Sequence, residues 1–248
     1  MGLGVCRRCW LAVEPWEGIC CGRCGLPIVS SRLDEAERVL CGGCRTGNPD
    51  FDVARAFGVY RGTLRALILQ LKFRRRERLG RRLGPYLVAA WERVEIFQSE
   101  PRPLLVPVPL FHARERQRGF NQARLLAEGL ARHLSRSRGG KRLRVAAHVL
   151  ARIRETLPQT GLSALERREN VRGAFKVTDL ERIEGCDVVL VDDVMTTGAT
   201  LSACSHALKQ GGAGTVFALA LARATPQFPD MGDAEASADI DESGRDWT

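Results

Sequence analysis

The sequence predicts an α/β fold, a parallel sheet covered on both faces by helices, with a small cysteine-rich module ahead of it. Three observations carry this. From residue 51 to about 225, short apolar runs of strand type alternate with stretches whose apolar residues recur at helical spacing. Seven of the nine cysteines lie in the first 44 residues. After Pro226 the chain becomes acidic and poor in large apolar residues. The expected organisation is a cysteine-rich module over 1–48, an α/β domain over 51–226 and a disordered tail over 227–248.

The module comes first. The N-terminal residues hold two arginines and two cysteines within Met1 to Trp10 but no apolar core of a secretory signal, and no run approaches membrane-spanning length. A cytoplasmic protein without membrane insertion is expected, and there clustered cysteines point to metal rather than disulfides. Cys21-x2-Cys24-x16-Cys41-x2-Cys44 has the spacing of a four-thiolate structural Zn²⁺ site. A module this small has little core, so the metal would supply much of its stability. Cys6-x2-Cys9 is a third knuckle without a fourth, as from a decayed ribbon or a start placed too late. A rival set of Cys6, Cys9, Cys21 and Cys24 has tighter spacing, and Cys20 reads as a spare thiol.

The elements of the α/β region follow in order. Leu64, Leu67, Ile68 and Leu71 place a helix over Thr63–Phe73, and Leu79, Leu83, Leu87 and Trp91 place another from about Arg78 to Val94. Lys72 reads as a solvated residue between that first helix and the run Arg74-Arg75-Arg76. Leu104–Leu110 is a short strand, and helical spacing resumes from Asn121 to His133. Ser135–Lys141 reads as a surface loop and Leu143–Leu150 as a strand. Val188–Val191 is a buried strand, Thr200–Lys209 a helix with Leu201, Cys204 and Leu208 facing inward, and Thr215–Ala222 a last strand. His112 reads as a surface loop residue, and Cys186 and Cys204 as small core residues.

Chemistry concentrates in residues 187–212, DVVLVDDVMTTGATLSACSHALKQGG. An apolar strand ends in two carboxylates, Asp192 and Asp193, and a turn of Thr196, Thr197, Gly198, Ala199 and Thr200 leads into a helix. Ligands bind at the carboxyl ends of strands in open α/β sheets, and helix N-termini offer free N–H groups to phosphate. Gly198 allows close approach and the threonine hydroxyls add donors. The carboxylates would repel phosphate, so they suit ribose hydroxyls or a hydrated Mg²⁺. The segment lacks the lysine of a Walker loop and the glycine spacing of a dinucleotide fold. It resembles the 5-phosphoribosyl 1-pyrophosphate (PRPP) motif of type I phosphoribosyltransferases.

Two further segments extend the resemblance. LLVPVPLFHARERQRGFNQARLLA, residues 104–127, places Arg118 and Gly119 at a helix entrance, where a guanidinium and a bare N–H suit pyrophosphate. TLPQTGLSALERRENVRGAF, residues 156–175, is a loop that could close over a substrate, followed by Arg167, Arg168 and Asn170. With FDVARAFGVYRGTLRALILQLKF, residues 51–73, these runs are similar to those of the ComF/GntX family, phosphoribosyltransferase-like proteins linked to DNA uptake and competence. The resemblance spans roughly residues 6–225 and implies a type I phosphoribosyltransferase-like sheet behind a zinc ribbon. It implies that Asp192, Asp193 and Thr196–Thr200 hold PRPP with Mg²⁺, that Arg118 and Gly119 line the pyrophosphate loop, and that Gln159, Thr160, Gly161 and Leu162 form the flexible loop.

Charge fits either of two functions. The net charge is +9; seven carboxylates against Arg245 give Pro229–Thr248 a charge of −6, which leaves +15 on the remainder. Arginine-rich surface of this kind meets phosphate on a nucleotide or on nucleic acid. One function is transfer of a phosphoribosyl group from PRPP to an acceptor the sequence does not identify. The other is a non-catalytic factor that senses PRPP or binds DNA or a competence protein.

Overall fold

The computed structural model describes residues 5–29, 39–47, 49–73, 76–94, 103–137, 143–157 and 162–225. Six strands form among the described residues: β1 (Val53–Val59), β2 (Leu104–Pro107), β3 (Leu150–Arg152), β4 (Phe175–Val177), β5 (Val188–Met195) and β6 (Val216–Arg223). Four of them make one parallel sheet in the order β1-β6-β5-β2, and β3 and β4 pair as a small antiparallel ribbon. The expected α/β fold, a parallel sheet flanked by helices, is what the chain adopts.

The period of two along a strand explains why both sheet faces are covered. In β5, Val189 and Val191 enter one apolar cluster while Val188 and Leu190 enter the other. The first cluster is filled by α3 (Gly62–Phe73), α4 (Glu77–Leu83), α5 (Leu87–Glu92) and α7 (Gln122–Ser137). On the second face lie α8 (Ala164–Val171), which adds Val171, and α9 (Ala199–Gln210), which adds Leu201, Cys204 and Leu208. Each fully buried leucine is worth about 1.5–3 kcal/mol, so these stripes hold the layers together.

Several expected boundaries move. The helix over Arg78–Val94 is two helices, split by a 3₁₀ turn at Gly84–Tyr86 with Pro85 inside it. A Cβ on Gly84 would stand 2.6 Å from Gly129 Cα and Leu126 O, so this pair of glycines lets the turn press onto α7. Leu143–Leu150 is not one strand: Val145 makes a lone bridge to Leu105, and β3 starts at Leu150. The basic stretch after β2 is helical, α6 (His112–Arg118), and α7 runs on through Ser137.

The N-terminal module carries α1 (Arg7–Leu11) and α2 (Gly42–Thr46). It lies along β1, a sheet edge, where Trp16 N–H donates to Phe57 O (2.8 Å) and Ala54 N–H donates to Arg23 O (2.7 Å). Covering an edge in this way removes unpaired backbone groups. Among the described residues no helix is long and apolar enough to cross a membrane. The tail expected to be disordered, 227–248, lies outside the described residues.

Candidate functional site

The two carboxylates sit within β5, which continues through both to Met195 rather than ending at Val191. Alternation therefore separates them. Asp193 shares the parity of Val189 and Val191 and meets α3, where Lys72 Nζ stands 3.0 Å from its Oδ2. That approach is an ion pair, and it supplies the buried Oδ2 with its counter-charge. Asp192 is half-buried, and its Oδ1 accepts from the Asp193 N–H at 2.8 Å. Burial, then the charge of Asp193, push its pKa up to about 8, with Lys72 opposing. For Lys72 itself burial pulls the pKa down, but Asp193 outweighs this and the net shift is upward.

The reading of Lys72 as a solvated residue is thus overturned: its side chain is 22% exposed and it is the counter-charge of Asp193. A signal was present. Lys72 falls eight residues after Leu64, on the stripe that also holds Leu67, Ile68 and Leu71, so it occupies a core-facing position.

Beyond Met195 the chain turns at Gly198, the left-handed N-cap of α9 with φ +83°. The positive φ favours glycine, and a Cβ there would stand 2.8 Å from Met195 Cε and have to push the end of that side chain aside. Thr197 Oγ1 accepts from Ala199 N–H (3.3 Å), and Thr196 and Thr200 are half-buried on either side. The turn thus presents hydroxyls and first-turn N–H groups beside the carboxylates.

Cations surround this point. Arg118, the last residue of α6, donates from Nη1 to Gln122 Oε1 (2.5 Å). Burial lowers its pKa, while Asp193 and, more weakly, Asp192 act in the opposite sense, which places its charge within electrostatic reach of both. Gly119 caps α6 at φ +86° with its α-carbon face open. Asn121 is buried: Nδ2 donates to Val108 O (3.0 Å) and Oδ1 accepts from Ala123 N–H (2.9 Å), fixing the start of α7. Arg152, on β3, was not singled out by sequence. Its Nη2 donates to Thr156 Oγ1, its guanidinium lies 5.5 Å from the Phe175 ring, and its buried Nε has no hydrogen-bond partner among the described residues. Burial first, and then the charge of Arg114, lower its pKa, while Cys204 and Asp192 act in the opposite sense. A lone arginine in a short strand gave no pattern by which to find it.

Of the expected flexible loop, Leu162 is half-buried, and Gln159, Thr160 and Gly161 lie outside the described residues. Its stem is tied on both sides: Asn170 accepts from Leu157 N–H (3.0 Å) and donates to Leu157 O (2.9 Å). Ser163 and Glu166 form a reciprocal capping box that starts α8. Arg168 is exposed on α8, Arg167 is half-buried, and His112 is exposed at the start of α6 beside the Phe111 ring.

The sulfurs of Cys21, Cys24, Cys41 and Cys44 lie within 4.8 Å of one another and could hold a zinc ion. Two N–H groups point at one of them: Cys41 N and Cys24 N lie 3.3 and 3.5 Å from Cys21 Sγ. Cys6 and Cys9 approach each other at 3.4 Å but stand outside the cluster, so the rival set is not assembled.

Comparison with known proteins adds to this geometry. The phosphoribosyl transferase domain model matches residues 121–240. Competence protein F of Haemophilus influenzae is 31% identical over 223 residues, 89% of this chain and 91% of that protein. The DNA utilization protein YhgH of Escherichia coli O6:H1 is 34% identical over 223 residues, covering 89% and 90%. Competence protein ComFC of Bacillus subtilis is 27% identical over 226 residues, covering 88% and 84%.

Proposed function

The chain belongs to the ComF family of phosphoribosyltransferase-like proteins, and from that membership we propose that it binds PRPP with Mg²⁺ at the Asp192–Thr200 turn and transfers the phosphoribosyl group to an acceptor. The observation that carries the reading is the meeting of two carboxylates, a glycine turn, a helix N-terminus and the cations Lys72 and Arg118 at one strand end. The carboxylate of Asp193, held by Lys72, and the half-buried carboxyl of Asp192 are hard donors that suit ribose hydroxyls or hydrated Mg²⁺. We read the protein as a zinc-ribbon module over 1–48 and a phosphoribosyltransferase-like domain over 51–226, working in the cytoplasm.

In this reading each residue has a task. Asp192 and Asp193 would accept from the ribose hydroxyls and orient the sugar, and Lys72 would hold the Asp193 carboxylate in place through their ion pair. The N–H groups and hydroxyls of Thr196–Thr200 would grip the 5-phosphate. Arg118 and the open backbone of Gly119 would face pyrophosphate, and Gln159–Leu162 would close over it and exclude water. The C1–O bond to pyrophosphate breaks as a bond from the acceptor to C1 forms, and pyrophosphate leaves with the electron pair. When bound, Mg²⁺ offsets the charge that gathers on that leaving group.

The names of the relatives and the +15 body favour one second reading: a factor that grips PRPP without turnover and acts with DNA or an uptake protein. Pyrophosphate release from PRPP and Mg²⁺, measured against a panel of nitrogen acceptors, separates the two. Release by wild type that Asp192→Asn/Asp193→Asn abolishes supports transfer. PRPP binding with no release, beside DNA binding that weakens steeply with salt, supports the second.

A further inference from the structure

We infer that Arg223 is a positioning residue that ties the four-cysteine cluster to the root of the phosphate turn, so that metal occupancy of the cluster sets how firmly residues 195–200 are held. Arg223 ends the otherwise apolar strand β6 and is 5% exposed. A buried guanidinium requires partners, and among the described residues no carboxylate pairs with it. Its Nη1 donates instead to Met195 O (2.9 Å) and Ala224 O (3.3 Å), and its Nη2 lies 3.9 Å from Cys24 Sγ. The same Met195 carbonyl also accepts from Ala224 N–H at 3.0 Å. Met195 is the residue immediately before Thr196, so this one guanidinium touches both the cysteine cluster and the first peptide of the turn.

Charge explains why occupancy would matter. Four thiolates around one divalent cation carry a net negative charge, and Arg223 is the cation against them. Without a metal to gather the four sulfurs, Cys24 Sγ is no longer held at a fixed point, and the buried guanidinium, whose Nε has no hydrogen-bond partner among the described residues, loses one of its two anchors. A second tie runs from the other side of the module. After the Cys41–Cys44 knuckle, Asp50 accepts from Ser202 Oγ (2.7 Å) on the first turn of α9 and donates its N–H back to that oxygen (3.0 Å). Phe51, next in the chain, packs beneath Gly198. The module therefore grips the turn at Met195 through Arg223 and at α9 through Asp50.

The consequence for PRPP rests on the function proposed above, whereas the mechanical tie does not, and the test keeps them apart. The zinc-loaded full chain is compared with Arg223→Met and Arg223→Lys by backbone hydrogen exchange over 195–201, with no ligand present, and by the rate of zinc release to a chromogenic chelator. In Arg223→Met, exchange over the turn rises about tenfold and zinc leaves several times faster, with Arg223→Lys intermediate. Stripping zinc from wild type speeds the same amides, and stripping it from Arg223→Met adds less than it does in wild type, because the tie at Met195 is already cut and only the Asp50 tie remains. Unchanged turn exchange and unchanged zinc release in Arg223→Met overturn the inference. Should that variant fail to fold, Arg223→Lys and zinc-stripped wild type decide, and unaltered exchange in both overturns it equally. Titration of Mg²⁺·PRPP comes last: affinity that falls in step with turn exchange extends the coupling to the ligand. A wild type that binds no PRPP sinks the functional reading and leaves the exchange result to judge the tie.

Discussion

Asp192 and Asp193 are neighbours in sequence with opposite surroundings. Asp193 is buried against Lys72, and removing one member of such a pair leaves the other charge stranded. Lys72→Met should therefore destabilise the fold by about 3 kcal/mol in urea unfolding at pH 7. Adding Asp193→Asn to it should restore much of the loss. Asp192 behaves differently, because its pKa is raised to about 8 from an ordinary value of 3.8, by burial first. Folding thus favours the protonated acid: this contribution is complete below the ordinary value and is lost as pH rises through about 8. Asp192→Asn stays neutral and keeps an oxygen for the Asp193 N–H, so it escapes the loss. It should match wild type near pH 4 and exceed it by on the order of 2 kcal/mol at pH 8.5, a figure discounted because the carboxyl is only half-buried. A variant whose advantage over wild type is no larger at pH 8.5 than at pH 4 would show that Asp192 is not strained by its site. The paired aspartates were legible as a motif; Lys72 was not, since its partner lies 121 positions later and only its place on the stripe of α3 marked it.

At the scale of elements, the strand-turn-helix from β5 to α9 stood out because every local cue agreed: apolar run, carboxylates, threonines, glycine, amphipathic helix. Gly198→Ala tests how rigid that unit is. Its φ of +83° and the 2.8 Å approach to Met195 Cε predict a loss of roughly 1–2 kcal/mol in unfolding free energy. A loss near zero would mean that Met195 simply swings aside and the turn tolerates a Cβ. Elements assembled by distant contacts were less readable. The break at Gly84 follows from its approach to Gly129 on α7, and β3 forms where β4 supplies a partner rather than where apolar residues begin. The loop stem belongs to the same class. Asn170→Ala removes both bonds to Leu157 and should speed exchange of the Leu157 amide about tenfold, with global stability changed by less than about 1 kcal/mol.

For the whole molecule, the fold class and the four-cysteine set were written in the spacing of residues, because a parallel sheet and a thiolate cluster each leave a regular pattern. The union of the two was not. Beyond the backbone bonds along β1, its reach to the phosphate turn runs through an arginine at the end of β6 and through Asp50 meeting Ser202, contacts spanning 199 and 152 positions that no local pattern announces. Metal analysis should find one zinc per chain, and Cys21→Ser/Cys24→Ser should abolish it and lower the thermal midpoint by several degrees. Retained stoichiometric zinc in that variant would place the metal elsewhere. The central claim, that the Asp192–Thr200 turn binds PRPP, is met most directly by calorimetric titration of PRPP with Mg²⁺ into the zinc-loaded protein, beside Asp192→Asn/Asp193→Asn. Micromolar binding by wild type that the double variant loses is the predicted result. A folded, zinc-loaded wild type that shows no heat of binding, or a double variant that binds as tightly, would contradict it.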